Sequence, residues 1–316
     1  MTLLVADIGG TNARFAMAQC AEPKGLTLTH TETLRVADFE SFEAALRHYL
    51  TGIDAAPLKA AIAVAAPVKG DWVAFTNNSW AFSQIQVKAD FGFEEVIVVN
   101  DFEALAAGIA HLPGRYLTLV RAGQANPKAP QLVIGPGTGL GQALVVPSGD
   151  TPSIIPTQGG HVSFAPRSEM EIKILNTLSR EHPHVSAELL LSGMGLENIY
   201  RALCHIKGDT HQRLRAAEIS EAALGGEHPT AAQAAGLFCN ILGAVVGDAV
   251  LSAGALGGVT LAGGIVPKIM DVFLASDFEF HFLSKGPMRQ YLEPVPIQLI
   301  TQDGAALYGA AALSSR

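Results

Sequence analysis

The segment LLVADIGGTNARFAMA at residues 3–18 sets two apolar runs on either side of the glycine pair Gly9 and Gly10. Glycine reaches backbone angles that other residues avoid, so the pair predicts a tight turn between two strands, that is, a β-hairpin. A second segment, LVIGPGTGLGQALVV at residues 132–146, repeats this pattern. The hairpins, together with strand-then-helix patterning in the rest of the chain, place the protein in the α/β class.

Both turns suit an anionic ligand. Glycines without side chains let backbone N–H groups approach phosphate oxygens closely, and the second turn offers Gly137, Thr138 and Gly139 for this purpose. Either turn on its own is equally consistent with glycines that serve the backbone geometry alone. The two turns together predict a nucleotide held between two halves of the chain.

Asp7 distinguishes the first turn from a plain phosphate-binding loop. It lies at the end of the apolar run, and Thr11 and Asn12 follow the glycines as a hydroxyl and an amide donor. A carboxylate beside a polyphosphate is repelled unless a cation lies between them, so Asp7 predicts a Mg²⁺-bound nucleotide. This combination favours phosphoryl transfer over redox chemistry.

Neither turn matches the common nucleotide-binding fingerprints. The dinucleotide pattern G-x-G-x-x-G joins a strand to a helix, whereas residues 15–17 and 143–145 predict returning strands. The P-loop pattern G-x-x-x-x-G-K-[ST] does not occur in the sequence. A nicotinamide-dependent dehydrogenase stays open as an alternative that rests on glycine richness alone.

Size and composition narrow the class of protein further. The chain has 316 residues, 49% of them hydrophobic and 16% charged, which is enough to bury a large core in two domains or one bilobal unit. The net charge of −8 argues against a nucleic-acid partner or an acidic membrane surface, because both require a basic footprint. A small soluble substrate is the simpler expectation.

Cysteine usage and the N-terminus predict a cytoplasmic protein. Cys20, Cys204 and Cys239 are scattered and odd in number, which fits a reducing compartment and excludes a disulfide framework or a cysteine zinc cluster. Met1 leads directly into a strand without a secretory signal. The alanine-rich stretch after Leu237 is interrupted by polar residues and glycines, so it predicts no membrane span.

Hydrophobic periodicity predicts the other elements. Strands are expected at 60–68, 94–101, 257–264 and 295–301, and helices at 39–51, 103–112, 168–181, 231–255 and 303–315. An exposed linker is expected at 121–131, a loop at 154–166 and a pair of surface helices at 207–230. Strand 60–68 is so poor in bulky side chains that we expect it in a central position, and strand 94–101 is apolar on both faces.

The end of strand 94–101 carries the main candidate for chemistry. Open α/β sheets bind ligands where their parallel strands end, and Asn100 and Asp101 lie at that point. Phosphoryl transfer needs a carboxylate that takes the proton of the acceptor hydroxyl, and Asp101 is the candidate for this general base. Taken alone, Asp101 fits the N-cap of the following helix better. Other polar residues of the chain favour the catalytic interpretation.

These polar residues fit a sugar. Sugar hydroxyls both donate and accept hydrogen bonds, so their site needs acceptor-only carboxylates together with groups that do both. Asn100 and Asp101 supply part of this mixture. Loop residues supply the rest: Asn77, Asn78, Gln158, His161 and Glu188. His161 and Glu188 taken singly are equally consistent with structural side chains.

Seven motifs cover nearly the whole length of the chain: DIGGTNARFA at 7–16, TNNSWAFS at 76–83, NDF at 100–102, GPGTGLG at 135–141, GGHVSFAP at 159–166, HVSAELLLSG at 184–193 and LAGGIVP at 261–267. In these motifs and their order the chain resembles the bacterial ATP-dependent glucokinases of the hexokinase and actin-like ATPase superfamily. Because seven motifs match together, the resemblance is far more specific than one glycine turn.

The resemblance implies a two-domain actin-like ATPase fold, ribonuclease H-like, with an interdomain cleft. The small α/β domain would comprise residues 1–110 plus 298–316, and the large α/β domain residues 111–297. The resemblance further implies that ATP and Mg²⁺ phosphorylate D-glucose to glucose 6-phosphate, that glucose drives domain closure, and that homodimers form.

Residue by residue, the resemblance places the general base at Asp101 and sugar contacts at Asn100, His161 and Glu188. It assigns nucleotide contacts to Gly9, Gly10, Thr11, Asn12, Gly137, Thr138 and Gly139, and adenosine contacts to Gly263 and Gly264.

Two positions depart from the family pattern. Gln158 replaces the glutamate that precedes GGH, so a charge-assisted bond to a sugar hydroxyl becomes neutral and weakens by about 1 kcal/mol. This predicts a raised glucose KM or an altered hexose preference. DGAALYG at 303–309 replaces a proline-glycine-leucine-leucine-glycine segment near the C-terminus. A sugar-binding regulatory protein that has lost catalysis is a second alternative, supported by Gln158 alone.

Overall fold

A computed structural model describes residues 3–21, 25–53, 56–75, 78–209, 213–226 and 228–314, with residues 20 and 21 described by their backbone alone. Asn77, one of the candidate sugar contacts, lies outside these ranges. The chain divides into two compact units. The first unit comprises Met1–Leu117, Ile154–Pro156 and Gln302–Arg316, and the second comprises Thr118–Ser153 and Thr157–Thr301.

The strands follow the chain in numerical order. They are β1 (Leu3–Ile8), β2 (Asn12–Ala21), β3 (Gly25–Arg35), β4 (Lys59–Val64), β5 (Trp72–Ala74), β6 (Ala81–Ser83), β7 (Glu95–Asn100), β8 (Leu117–Arg121), β9 (Gln131–Pro136), β10 (Leu140–Val146), β11 (Ser153–Thr157), β12 (Val259–Leu261) and β13 (Ile297–Ile300).

The helices are numbered in the same way. They are α1 (Phe42–Thr51), α2 (Gln84–Phe91), α3 (Asp101–Gly108), α4 (Glu169–Leu178), α5 (Gly193–Lys207), α6 (Ala216–Gly225), α7 (Pro229–Ala253), α8 (Met270–Ala275), α9 (Phe278–Leu283), α10 (Arg289–Leu292) and α11 (Ala305–Ser314).

The first unit is built on a sheet with the strand order β3-β2-β1-β4-β7. β1 and β2 form the antiparallel hairpin that the first glycine turn predicts. β1, β4 and β7 run parallel, and along their carboxyl ends Ile8 pairs with Val64, which pairs with Asn100. The ends of β1 and β7 therefore lie on one rung of the sheet, two strand spacings or about 10 Å apart.

The positions of β4 and β7 match the sequence expectations only in part. The small residues of β4 place it between β1 and β7, as predicted. β7, whose sequence is apolar on both faces, is an edge strand whose residues are mostly half-buried. Its Val98 and Val99 pack in clusters on opposite faces of the sheet, but a strand with one neighbour stays partly open to solvent.

The last helix, α11, belongs to this first sheet. Leu307 and Ala310 of α11 pack against Val5 of β1 and Ala61 of β4. A Cβ atom at Gly309 would overlap the backbone of Ala104 in α3, so glycine is required where the two helices cross. The segment 303–309, which departs from the family pattern, thus leads into a buried helix.

The second unit is built on a sheet with the strand order β11-β10-β9-β12-β13-β8. β9 and β10 form the second predicted hairpin, and β12 runs parallel to both β9 and β13. A hairpin followed by parallel strands beside its first strand is the arrangement of the first sheet as well. The core on one face of this sheet is formed with helices such as α5 and α7.

Helix α7 is the long alanine-rich helix predicted at 231–255. Among the described residues, α7 is the one helix whose length and apolar composition would allow it to cross a membrane. In the structure, however, 61% of its most apolar window is buried. Phe238, Leu242 and Val246 of this helix are part of the second unit's core. Burial of this extent is typical of a core helix.

Several elements differ from the predictions. Residues 154–166, expected to be a loop, contain most of β11 and a 3-10 turn at Gly159–His161. β3 was not predicted, because its exposed threonines give it little hydrophobic patterning. α9 and α10 were missed because each is too short to show a helical repeat.

Candidate active site

The first glycine turn is fixed by hydrogen bonds within the first unit. The N–H of Gly9 donates to the carbonyl of Asn12 at 2.9 Å. Asn78 donates its Nδ2 to the carbonyl of Gly9 at 3.1 Å, and its Oδ1 accepts the N–H of Trp80 at 2.8 Å. Both polar atoms of the Asn78 side chain are therefore engaged by the protein, and they hold the turn in place. Gly10 is half-buried next to the exposed Thr11.

Asp7 belongs to a small group of charges beside this turn. Arg14 Nη1 lies 3.6 Å from Asp7 Oδ2, and Arg14 Nη2 donates to Asp303 Oδ2 at 2.8 Å. The side chains of Asp7 and Arg14 are largely buried, whereas that of Asp303 is 83% exposed. Burial raises the pKa of Asp7, the Arg14 guanidinium opposes the rise, and the charge of Asp303 adds to it.

Asp101 is the first residue of α3, directly after β7. The N-cap of this helix is the preceding Asn100, whose Oδ1 accepts the N–H of Phe102 at 3.0 Å. The interpretation of Asp101 as the N-cap is therefore wrong, although Asp101 Oδ1 lies 2.9 Å from the same N–H. Because Asn100 provides the cap, the Asp101 carboxyl is not required for that role.

Two effects raise the pKa of Asp101 to about 7: burial of the carboxyl, which is the larger, and the negative charge of Asp7. Hydrogen bonds from backbone N–H groups and from Asn100 act in the opposite direction. A carboxyl with this pKa is partly ionised near neutral pH, so it can accept a proton from a bound alcohol. Asp7 and Asp101 thus form an interacting pair at the carboxyl ends of β1 and β7.

Asp7 also fits a magnesium ion. Mg²⁺ is usually held by one or two carboxylates together with water and substrate phosphates, without an all-protein cage. Over the part of the chain that the structure describes, no group of three or more His, Cys, Asp or Glu side chains forms such a cage. Burial disfavours the negative charge of Asp7, so a cation that brings its own phosphate ligands would stabilise this carboxylate.

The second glycine turn is fixed within the second unit by the start of α5. The N–H of Gly137 donates to the carbonyl of Gly139 at 2.8 Å, and the N–H of Gly193 donates to the carbonyl of Gly137 at 2.9 Å. The N–H of Leu140, which directly follows the turn, donates to Glu188 Oε2 at 2.8 Å. Thr138 at the tip is exposed.

The loops that carry His161 and Glu188 are joined to each other. Ser163 and Ser186 form an isolated β-bridge, and the N–H of Phe164 donates to the carbonyl of Val185 at 2.9 Å. His161 Nδ1 lies 3.9 Å from Glu188 Oε1. The sequence prediction that these two residues share a polar site is consistent with this contact.

Gln158 lies at the start of the same loop. It is exposed, and its backbone carbonyl accepts the N–H of His161 at 3.0 Å. A Cβ atom at Gly159 would overlap the Gln142 side chain, and one at Gly160 would overlap the carbonyl of Leu140. The two glycines therefore let the loop pack closely on β10.

Gly263 and Gly264 follow β12 and differ in their surroundings. Gly263 has a positive φ of 83°, and a Cβ atom there would overlap the carbonyl of Pro136 at the end of β9. Gly264 is exposed and has open space around it. Gly263 is thus required by packing, while Gly264 is free to contact a ligand.

Sequence reasoning missed Arg14, Asp303 and the backbone N–H of Leu140. Arg14 could have been found, because a cross-strand partner for Asp7 follows from the length of the first hairpin. Asp303 and the Leu140 contact join residues that are distant in sequence, so no local pattern indicated them.

Comparison with other proteins shows which family has this arrangement of residues. The statistical model of the glucokinase family matches residues 4–316. The glucokinase of Saccharophagus degradans is 40% identical over 310 residues, which is 98% of this chain and 97% of that protein. This chain belongs to the glucokinase family. The predicted class of enzyme, an ATP-dependent hexose kinase with glucokinase function, is thereby confirmed.

Solved structures agree in fold. The crystal structure of a glucokinase from an Antarctic psychrotroph has a TM-score of 0.88 and 40% identity, covering 99% of this chain and 98% of that one. A ROK family glucokinase from Streptomyces griseus, solved in complex with glucose and AMPPNP, has a TM-score of 0.67 at 19% identity and covers 99% of both chains. The mixed α/β fold is therefore that of the glucokinase and ROK kinase structures.

Proposed function

We propose that the chain transfers the γ-phosphoryl group of ATP to the 6-hydroxyl of D-glucose, with Asp101 as general base. The observation that supports this role is the position of Asp101 at the carboxyl end of β7, combined with a pKa of about 7. A base works best when its pKa lies near the working pH. The ionised fraction is then large enough to act, and the affinity for a proton remains substantial.

In the proposed step, the carboxylate of Asp101 takes the proton of the sugar hydroxyl. The freed oxygen electron pair forms a bond to the γ-phosphorus of ATP, and the bond from that phosphorus to the bridging β,γ-oxygen breaks. Glucose 6-phosphate and ADP leave, and Asp101 returns its proton to solvent. The protein supplies position and electrostatics, and no covalent intermediate is required.

Asp7 is the proposed magnesium ligand. When bound, Mg²⁺ neutralises charge on the phosphates. The Arg14 guanidinium lies 3.6 Å from the Asp7 carboxyl and pairs with it from the neighbouring strand β2. Gly9, Gly10, Thr11 and Asn12 would bind phosphate oxygens from the first unit.

In the second unit, the proposed phosphate contacts are Gly137, Thr138 and Gly139, and the proposed adenosine contacts are Gly263 and Gly264. Of the two adenosine candidates, Gly264 has the open space that a ligand requires. The proposed sugar contacts are Asn78, Asn100, Asp101, Gln158, His161 and Glu188. Asn78 uses one Nδ2 hydrogen and one Oδ1 lone pair within the protein, so one hydrogen and one lone pair are left for a sugar hydroxyl.

The assignment to the actin-like, ribonuclease H-like superfamily is also a proposal. It is supported by the shared order of the two sheets, in which an antiparallel hairpin precedes parallel strands. The division into a small domain of 1–110 plus 298–316 and a large domain of 111–297 is proposed with it. Homodimer formation and a cytoplasmic location stay predictions from the sequence and the family.

One experiment tests the proposed function. The purified chain is mixed with ATP, Mg²⁺ and each member of a hexose panel, and ADP release is followed together with the sugar phosphate formed. The expected result is phosphorylation of glucose, with a glucose KM higher than that of family members that have glutamate at the position of Gln158. Glucose binding without ADP release would instead support the sugar-binding regulatory alternative.

A further inference from the structure

Glu188 makes a contact that its proposed sugar-binding role does not explain. Its Oε2 accepts the N–H of Leu140 at 2.8 Å, and Leu140 is the first residue after the second glycine turn. Its other oxygen, Oε1, faces His161 Nδ1 at 3.9 Å. The two oxygens of one carboxylate therefore face two different parts of the second unit.

The surrounding backbone holds Glu188 in this position. Ser192 Oγ donates to the carbonyl of Glu188 at 2.8 Å, and Ser192 is the N-cap of the long helix α5. The next residue, Gly193, donates its N–H to the carbonyl of Gly137. Residues 188–193 thus contact the turn on both sides, at Gly137 and at Leu140.

The space at Gly139 is set by the same carboxylate. A Cβ atom at this position would lie 2.5 Å from Glu188 Oε2 and 3.2 Å from its Cδ, and its three nearest atoms all belong to Glu188. A side chain at 139 would therefore force the Glu188 carboxylate to move away from the turn. The positive-φ glycines of this protein do not include Gly139, so backbone conformation is not the reason for a glycine there.

We propose that Glu188 is a positioning residue for the phosphate turn at 137–139, in addition to its contact with the sugar. One oxygen fixes the turn through the N–H of Leu140, and the other is left for a sugar hydroxyl. The inference rests on the proposed function, in which this turn binds the nucleotide phosphates. It predicts that Glu188 contributes to nucleotide affinity even when no sugar is present.

The test is the affinity for AMPPNP with Mg²⁺, measured by isothermal titration calorimetry without sugar. Glu188→Ala should weaken binding by about tenfold, the loss expected for one charge-assisted hydrogen bond. Glu188→Gln keeps an acceptor for the Leu140 N–H, so it should restore most of the nucleotide affinity while glucose affinity stays low. An effect that reflected general destabilisation would not separate the two ligands in this way.

Gly139→Ala provides a second measurement. In the wild-type background its new methyl group displaces Glu188 and should weaken AMPPNP binding. In the Glu188→Ala background the obstructing atoms are gone, so the same substitution should add little. Such non-additivity is the signature of two groups that act through one contact.

A matched control lies further along α5. Glu197 Oε1 accepts the N–H of Ala216 at 3.0 Å, a contact of the same chemical type as that between Glu188 and Leu140. Glu197→Ala should leave AMPPNP affinity unchanged, and thermal unfolding should show that each variant is folded.

Two results would overturn the inference: wild-type nucleotide affinity in Glu188→Ala, or additive losses in the double variant. A wild-type chain that binds AMPPNP but does not phosphorylate glucose would contradict the proposed function instead. A wild-type chain that binds no AMPPNP would contradict both.

Discussion

The two hairpins occupy the same place in sheets of the same order, yet the paired residues just before the turn differ in charge. In the first hairpin, the next-to-last residue of β1 is Asp7, which lies opposite Arg14. In the second hairpin, the next-to-last residue of β9 is Gly135, which lies opposite Gly141. A charged pair in one unit thus corresponds to a glycine pair in the other.

The packing explains why the second hairpin carries no carboxylate there. A Cβ atom at Gly135 would overlap the backbone of Ala262, which follows the neighbouring strand β12. No side chain fits that position. The comparison indicates that at this pair of positions the first unit has the carboxylate of the proposed magnesium ligand, whereas the second has backbone packed closely on backbone.

Asp101→Asn should have the largest effect, because it removes the proposed general base of the first unit. Loss of the proposed base should lower kcat by about a thousandfold, since general bases contribute factors of this order. Steady-state kinetics with glucose and ATP would measure it. Asp71→Asn is the control, because Asp71 also accepts a backbone N–H at 2.8 Å, from Ile85, in the same unit. A variant at 101 that kept most of its kcat would exclude Asp101 as the base.

The pH dependence tests the interaction between the two carboxyls of the first unit. The folded pKa of Asp101 is raised to about 7, so the base is increasingly protonated below that value. We expect kcat/KM to fall by about tenfold per pH unit on the acidic side. Asp7→Asn removes the charge that raises the pKa of Asp101, so the midpoint of the pH profile should move to lower pH. Activity should also fall at every pH, because the proposed magnesium ligand is lost. An unchanged midpoint would show that Asp7 does not act on the base.

Asn78→Ala tests whether the first glycine turn depends on the Asn78 side chain, as the second turn is proposed to depend on Glu188. The variant leaves the carbonyl of Gly9 and the N–H of Trp80 without this partner. The free energy of unfolding should fall by about 1–2 kcal/mol, and the KM for ATP should rise. Chemical denaturation and kinetics measure both quantities. Asn126→Ala, which removes a comparable bond to Lys128 in an exposed segment, should leave the KM for ATP unchanged.

Gln158→Glu should produce the smallest change. Restoring a charge-assisted bond to a sugar hydroxyl should lower the glucose KM by about fivefold, which corresponds to about 1 kcal/mol. The KM for ATP should stay the same. Gln124→Glu makes the same charge change at another exposed position and should alter neither constant. A glucose KM that rose or did not change in Gln158→Glu would contradict the affinity argument.

Local sequence patterns predicted the parts of the fold that depend on neighbouring residues. The glycine pair at 9–10 indicated a hairpin, and the alanine-rich stretch indicated α7, because each depends on turn chemistry or helical periodicity. The small residues of β4 correctly indicated an interior strand. The position of Asp101 at a strand end followed from the same reasoning.

Contacts between distant segments could not be predicted. The bond between Arg14 and Asp303 spans 289 positions of the chain, and that between Leu140 and Glu188 spans 48. Propensity and periodicity contain no information on such pairs, since they describe a window of a few turns. For the same reason, the edge position of β7 was missed: sheet order depends on how the whole chain is connected.

The first unit is discontinuous, and this affects how it is made. Its sheet lacks the cover of α11 until the ribosome has synthesised the entire second unit, because α11 is encoded after Thr301. Until then the apolar face that includes Leu3, Val5 and Ala61 lacks its contacts with Leu307, Ala310 and Ala311 of α11. Premature termination after the second unit would therefore remove both Asp303 and the helix that covers the first sheet. The unit whose strands are made first would then be incomplete.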